Sequence, residues 1–197
     1  MLLIRRFLPI VLILFAPGSF LFAQFNGVPT THGSEDTTPE QVRELVSQYC
    51  RLQYDGLGLD PQAWSKFQPI VWWSSPQKYT QIDVIARYSV DAEPEAHSNN
   101  TKYSVTVHYR LLGTYDLVNG YVPEPEGSMQ IVDFLVSSEN TEWRIADAEN
   151  LYPHPSRAAM LKWLNGKLAT EQDPAAKERY QKALTLLQAQ SASPFAK

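Results

Sequence analysis

The segment 102–112, KYSVTVHYRLL, alternates apolar and polar side chains along its whole length. A period of two residues is typical of a strand with one buried face and one solvated face, as in an antiparallel sheet. One face carries Ser104, Thr106, His108 and Arg110, and the other face carries Tyr103, Val105, Val107, Tyr109 and Leu111. The segment therefore predicts a long strand that covers a hydrophobic core.

Further segments predict other strands of the same sheet. Residues 81–90 alternate in the same way, except that Ile85 falls on their polar side. Residues 129–136 are apolar on nearly both sides, which predicts a central strand, and residues 142–148 predict a short last strand. The polar residues 91–100 predict a hairpin loop. Residues 113–127 hold three glycines and two prolines and predict a longer connection.

Helical patterns lie on both sides of these strands. Thr38 and Pro39 begin an amphipathic helix that ends near residues 54–56, and Asp60-Pro61 begins a shorter helix. After the strands, apolar residues recur at helical spacing in two more segments, the second of which begins at Asp173-Pro174. Together these patterns predict an α+β fold with N-terminal helices, an antiparallel sheet of about four strands and extra C-terminal helices.

Three local features carry a resemblance to a known superfamily. They are the run Tyr49…Asp55-Gly56…Leu59…Trp64, the strand from Val105 to Gly113, and the strand around Trp143-Arg144-Ile145. Over residues 38–155 the chain resembles the nuclear transport factor 2-like proteins. The resemblance implies a strongly curved sheet that forms a cone, with the first helices covering its concave face and a pocket between them. Residues 156–190 would then be a helical extension of this domain.

The first 23 residues have the organisation of a secretory signal peptide. Arg5 and Arg6 precede a short apolar run, and the segment closes on Leu21-Phe22-Ala23. The apolar run is short for a membrane span, which needs about 20 residues. We therefore expect an exported protein, periplasmic or secreted, that has no membrane contact after processing. Residues 24–37 lack periodicity and predict a flexible lead-in.

Composition excludes several classes of partner. The chain has 17 basic and 21 acidic residues and a net charge of −4, without a run of Lys or Arg. A nucleic acid is therefore not expected as a partner. The histidines show no metal-ligand spacing, and no cofactor motif occurs, so we expect neither a metal nor a cofactor. Cys50 is the single cysteine and predicts a small buried residue within the first helix.

The resemblance also suggests where a ligand would bind. Tyr54, Tyr88, Tyr109 and Asp133 would converge on the concave side and form a ligand-binding pocket. Asp133 shares one strand face with apolar residues, and burial there would raise its pKa and make it the candidate catalytic residue. The alternative is a carboxylate paired with Arg87, Arg110 or Arg144. The pair Trp72-Trp73 allows two hypotheses, core packing and a stacking wall for a ligand.

Three functions remain open from these observations. The first is an exported, non-catalytic module that binds a small apolar ligand or a protein partner in its cavity. The second is a lyase or isomerase that uses acid/base chemistry around Asp133 in the same cavity. The third is a structural or assembly role, such as a homodimer, through the convex face of the sheet, where Arg87, His108, Arg110 and Arg144 would cluster.

We predict that export is accompanied by cleavage between Ala23 and Gln24. The basic start, the short apolar run and the small exit residue favour this position. N-terminal sequencing of the exported protein should begin at Gln24. A mature protein that keeps the whole segment and stays in the membrane would instead indicate a membrane anchor.

Overall fold

The computed structural model describes residues 39–97, 100–140, 142–148 and 152–190. The predicted signal peptide, residues 1–23, and the predicted lead-in, residues 24–37, lie outside these residues. Within them the chain has the predicted α+β class, with an antiparallel sheet and helices on both sides of it in sequence.

Six strands make up the sheet in the described parts of the chain, rather than about four. They are β1 Gln81–Val90, β2 Glu95–His97, β3 Lys102–Asp116, β4 Gly120–Pro123, β5 Met129–Glu139 and β6 Glu142–Ala148. The main path runs β1-β3-β5-β6, and the short strands β2 and β4 both pair with β3. The predicted central strand is confirmed, because β5 lies between β3 and β6.

Three of the helices begin after residues whose side chains cap them, namely Asp60, Ser156 and Asp173. Helix α1 spans Pro39–Tyr54, and two 3₁₀ helices follow at Leu57–Leu59 and Pro61–Lys66. Helices α2, Arg157–Thr170, and α3, Pro174–Ala189, close the described chain. The carboxylate of Asp60 accepts a hydrogen bond from the Gln62 backbone N–H at 2.9 Å, which caps the second 3₁₀ helix. None of the helices within the described residues is both long and apolar enough to cross a membrane.

The prediction of a long connection over residues 113–127 is wrong. Strand β3 continues through Gly113 to Asp116, and β4 returns beside it in a hairpin. The backbone N–H groups of Val118 and Asn119 donate to the Asp116 carboxylate at 2.8 and 2.7 Å, which closes the turn. A Cβ atom at residue 113 would lie only 2.4 Å from the Tyr121 hydroxyl. Gly113 therefore lies inside the strand, and its missing side chain leaves room for the Tyr121 ring.

The polar stretch 91–100 is not only a loop. Glu95–His97 form the short strand β2, which pairs with β3 through Glu95–Ser104 and His97–Lys102. The Nε2 atom of His97 lies 2.7 Å from the Ser104 hydroxyl. A strand of only three residues is too short for alternation to reveal it.

The sheet carries one hydrophobic core on each face. Val105, Val107 and Tyr109 are fully buried in a core that also contains residues of α1, such as Val46. A second core joins the start of β1 and the end of β3 to α2 and α3. Its buried members include Ile82, Val84, Tyr115, Met160, Leu164, Leu184 and Leu187.

The pairing between β1 and β3 is irregular, and at this irregularity the buried side chains of both strands change from one face of the sheet to the other. The register shifts between Val84 and Arg87, so that Ile85 pairs with Leu111 and Val84 pairs with Gly113. Val84 belongs to the core with α2 and α3, whereas its neighbour Ile85 belongs to the core with α1. The β-bulges explain why Ile85 broke the alternation of the sequence.

Short irregular segments cover positions on both outer strands of the main path. The N–H groups of Asp83 and Ile85 in β1 donate to the carbonyl groups of Pro153 and Pro155 at 2.9 and 3.0 Å. On the other side, the N–H group of Ile145 in β6 donates to the Ile70 carbonyl at 2.9 Å. These contacts occupy backbone groups that an edge strand otherwise exposes.

A charge on the α1-facing side of β3 should be much more damaging than a charge on the other side of the neighbouring strand. We expect Val107→Asp to lower the free energy of unfolding by about 3 kcal/mol or more, because Val107 is fully buried. Ile131→Asp is the control, since Ile131 is 60% exposed, and it should change stability by about 0.5 kcal/mol or less. Urea denaturation of both variants measures this. Equal losses would contradict the assignment of the two faces.

Candidate functional site

The structure brings three of the four predicted site residues together. The ring centroids of Tyr54 and Tyr88 are 5.8 Å apart, and those of Tyr88 and Tyr109 are 6.4 Å apart. The Tyr54 hydroxyl donates to the Ala86 carbonyl at 3.3 Å, and the Tyr109 hydroxyl lies 3.2 Å from the Cys50 sulfur. The tyrosines form a packed row in which each ring contacts the next, with Tyr109 fully buried. Ligand binding by this row stays a prediction.

Asp133 does not join the tyrosines, and the prediction of a buried carboxylate at that position is wrong. Its side chain is exposed, and its hydrogen bond comes from the Thr106 hydroxyl at 2.6 Å. The register pairs Asp133 with Thr106 and Val132 with Val107, so Asp133 lies on the polar face of the sheet. Arg144, one of the suggested partners, instead pairs with Glu142 at 2.6 Å.

A buried polar cluster lies beside Tyr109, and it contains Asp83 and His154 rather than Asp133. Asp83 and His154 are only 2% and 4% exposed. The Nε2 atom of His154 lies 2.9 Å from Gln130 Oε1 and 3.9 Å from Asp83 Oδ2. The imidazole also stacks on the Tyr109 ring, with centroids 4.0 Å apart. His154 lies between two prolines, and nothing in its sequence context indicates that its ring enters the core.

Other side chains satisfy the Asp83 carboxylate. Gln81 Nε2 and the Thr114 hydroxyl both donate to Asp83 Oδ1, at 2.7 and 3.2 Å. Burial lowers the pKa of His154 from 6.5 to about 4, although the Asp83 carboxylate and the Tyr152 backbone oppose this shift. The imidazole is therefore neutral at pH 7.

Cys50 is confirmed as a small buried residue of α1. Burial raises the pKa of its thiol to about 12, although the hydrogen bond with Tyr109 acts in the opposite direction. A nucleophilic cysteine needs an accessible thiolate. The environment of Cys50 disfavours that form, so we assign it no chemical role.

A pocket lies beside α1 and the second 3₁₀ helix, away from the tyrosine row. Its free space is about 80 Å³, and it opens to solvent. The walls are rich in rings, which come from Tyr49, Trp64, Phe67, Trp73 and Tyr79. Three prolines and three polar residues complete most of the lining, namely Pro61, Pro76, Pro153, Gln53, Asp60 and Gln77. An apolar cleft with a few polar groups is the usual form of a small-molecule site.

Tyr49 organises the aromatic walls. Its ring meets Phe67 edge to face at 5.5 Å and 72°, and it meets Trp73 at 6.2 Å and 78°. Trp64 stacks almost parallel to Phe67, with a centroid distance of 6.0 Å. The Tyr49 ring therefore stands at a steep angle to the Phe67 and Trp73 rings, whereas the Trp64 and Phe67 rings are nearly parallel.

The two tryptophans of the Trp72-Trp73 pair have different environments. Trp72 donates from its indole N–H to the Ser137 carbonyl at 3.3 Å, and the Arg144 guanidinium lies 4.6 Å from its ring centroid. Trp73 lines the pocket. Trp72 is half-buried and belongs to neither core, whereas Trp73 packs against the core with α1, and the hypothesis of a stacking wall remains for Trp73.

Two lining residues carry polar atoms without a hydrogen-bond partner. Gln53 Oε1 and Trp64 Nε1 are buried, and neither has a partner in the described part of the chain. The Gln53 amide N–H donates to the Tyr49 hydroxyl at 3.0 Å. A Cβ atom at Gly58 would meet Gln53 Oε1, so a larger residue there would displace this amide. Each buried unpartnered polar atom costs about 1–3 kcal/mol.

Comparisons with known proteins do not assign the chain to a family. None of the protein families, curated proteins or solved structures compared with this sequence matches it. Within the described residues, no group of three or more His, Cys, Asp or Glu side chains is arranged to hold a metal ion. The candidate site therefore depends on the geometry of the aromatic pocket.

The depressed pKa of His154 predicts a loss of stability in acid. The unfolded chain binds a proton at this histidine below pH 6.5, whereas the folded chain does so only near pH 4. The stabilisation is therefore complete above pH 6.5 and is lost as the pH falls toward 4, at about 1.4 kcal/mol for each pKa unit. Thermal or urea unfolding between pH 7 and pH 4 measures it.

Two variants isolate this contribution. His154→Gln should flatten the dependence of unfolding free energy on pH in this window, whatever it does to stability at pH 7. His108→Gln is the control, because His108 lies on the polar face beside Asp91 at 3.1 Å. If the two variants keep the same slope as the parent protein, burial of neutral His154 does not set the acid limit.

Proposed function

We propose that this chain is an exported, non-catalytic binding module and that its aromatic pocket receives a small, mostly apolar molecule with one polar end. The observation that carries the proposal is the combination of five aromatic side chains with two buried polar atoms that lack a partner. Native proteins rarely leave such atoms unpaired, and exceptions call for an explanation. A hydroxyl both donates and accepts, so the polar end of a ligand suits an acceptor such as Gln53 Oε1 or a donor such as Trp64 Nε1.

The size of the pocket limits the ligand. Its volume of about 80 Å³ is roughly half that of an engineered 150 Å³ protein cavity that binds benzene. A compact group of a few carbon atoms fits, and the remainder of a larger molecule would extend through the opening. This differs from the predicted cavity around Tyr54, Tyr88 and Tyr109, where the three rings are packed against one another.

The alternative of acid/base catalysis was based on a buried Asp133, and the position of this residue does not support it. Asp133 is exposed and faces away from the core, so it is not a carboxylate in apolar surroundings. The buried pair of Asp83 and His154 is held by neighbouring side chains and lies within the core. We therefore favour binding over catalysis.

We also propose that the fold is a variant of the nuclear transport factor 2-like cone and that the protein acts outside the cytoplasm. The packing of α1 on the core-facing side of β3 and the strand order β1-β3-β5-β6 support the first statement. The basic and apolar N-terminal segment supports the second. A crystal structure of the exported protein tests the curvature of the sheet, and cell fractionation tests the location.

Assembly through the outer face of β3 and β5 is a second candidate function. Met129 and Ile131 are 53% and 60% exposed there, and they pair with Arg110 and His108 of β3. Exposed apolar side chains beside charged ones are common where two proteins meet. Sedimentation velocity should then detect a homodimer. A monomer at all concentrations used for the ligand titrations would end this candidate.

The binding proposal predicts different effects for the two adjacent tryptophans. We expect 3,3-dimethyl-1-butanol, a compact apolar group with one hydroxyl, to shift the NMR resonances of Gln53, Gly58 and Trp64 in the parent protein. Binding should be weak, with a Kd of about 1 mM or above, because so small a molecule buries little surface. Trp73→Leu should abolish these shifts, because Trp73 lines the pocket.

Trp72→Leu is the matched control, since its indole contacts Ser137 and Arg144 rather than the pocket. It should retain the shifts. The proposal is wrong if neither this probe nor a charged molecule of the same shape perturbs the pocket, or if both tryptophan variants bind as the parent does.

A further inference from the structure

We infer that the apolar end of the ligand carries a positive charge and that the pocket recognises a quaternary ammonium compound of the size of choline. This inference rests on the proposed function, because it specifies the chemistry of the molecule that the same pocket binds. It is based on the electrostatics of the lining and on the two unpartnered polar atoms.

The rings make the pocket attractive to a cation. The face of an aromatic ring carries partial negative charge, and a cation within about 6 Å of a ring centroid is attracted to it, most strongly by tryptophan. Trp64, Trp73, Tyr49 and Phe67 bound the pocket, and their planes stand at several angles. Walls at such angles surround a compact charged group, whereas a flat neutral ring would stack on only one of them.

The charged groups of the lining have a single sign. Asp60 lines the pocket, and of the described residues that line it, none is Lys or Arg. Only one carboxylate oxygen of Asp60, Oδ1, is used in capping the second 3₁₀ helix. The carboxylate is also exposed, so it lies at the entrance, where its charge can balance that of a bound cation. A cation is favoured by this lining, and an anion is disfavoured by it.

A quaternary ammonium fits these walls better than a primary amine. The five ring-bearing side chains offer mainly faces and edges, with acceptors only at the Tyr49 and Tyr79 hydroxyls, and the Tyr49 hydroxyl already accepts from Gln53 Nε2. A primary ammonium has three N–H groups to satisfy on leaving water, so these rings suit it poorly. A trimethylammonium group keeps its charge without any N–H group that needs a partner. Choline adds one hydroxyl, which can pair with Gln53 Oε1 or Trp64 Nε1.

Three small probes separate the effect of the charge from that of the hydroxyl. Choline has both, 3,3-dimethyl-1-butanol has the hydroxyl without the charge, and tetramethylammonium has the charge without the hydroxyl. Titrations followed by NMR should give choline a Kd about tenfold lower than that of 3,3-dimethyl-1-butanol, as expected for one or two cation–π contacts in a partly desolvated site. Tetramethylammonium should lie between them.

Asp60→Asn tests the entrance charge while keeping the helix cap, because asparagine caps helices as well as aspartate does. It should weaken choline binding several-fold and leave 3,3-dimethyl-1-butanol unchanged. Asp55→Asn removes the same charge from an exposed residue that does not line the pocket, and it should leave both affinities unchanged. Equal losses of choline affinity in the two variants would mean that only the overall charge of the protein matters, and the inference would fall.

The outcomes distinguish the inference from the function on which it rests. If choline and 3,3-dimethyl-1-butanol bind the pocket equally well, the pocket is a binding site but the inference is wrong. If none of the three probes perturbs the pocket residues, the proposed function itself fails. Tighter binding of choline that is lost in Trp73→Leu and retained in Trp72→Leu supports both.

Discussion

Strand β3 is the element on which the rest of the structure depends. It pairs with β1, β2, β4 and β5, so four of the five other strands in the described chain are ordered by its backbone. Its side chains impose a further constraint, because one face must be covered along most of its length. Helix α1 covers Tyr109 and the residues before it, and α2 and α3 cover Tyr115 after the irregular pairing. The two register shifts between β1 and β3 thus allow a single strand to contribute to two cores.

Much of this architecture follows from periodicity in the sequence. The bounds of β1 and β6 agree with those predicted, and the helices α1, α2 and α3 lie where apolar spacing places them. The errors have specific causes. Gly113 looked like a breaker because the sequence does not reveal that Tyr121 packs across it, and β2 is too short and too polar to alternate visibly. Side-chain periodicity describes an element only where one of its faces is buried.

The candidate site was much less predictable than the fold. Asp133 lies on a strand whose two faces are both rich in apolar residues, so periodicity could not decide which face is buried. The register with β3 decides it, and register depends on pairing between distant residues. The pocket combines α1 with the irregular chain between residues 57 and 80. That stretch does contain a clue, since Trp64, Phe67, Trp73 and Tyr79 make it unusually aromatic for a connection. Their convergence on Tyr49 required the tertiary structure.

The segment that contains Pro153 and Pro155, here called the strip, lies along β1 and affects the tendency of the protein to aggregate in concentrated solution. An open sheet exposes N–H groups along its outer strands, and these can recruit a strand from a second molecule and start aggregation. Here Asp83 and Ile85 already donate to the two proline carbonyls, and Ile145 donates to Ile70 on the far side. Proline has no N–H group of its own and is already restricted to an extended backbone, so the strip offers acceptors at little entropic cost. The chain thereby shields positions on both margins of its sheet against strand addition by another molecule.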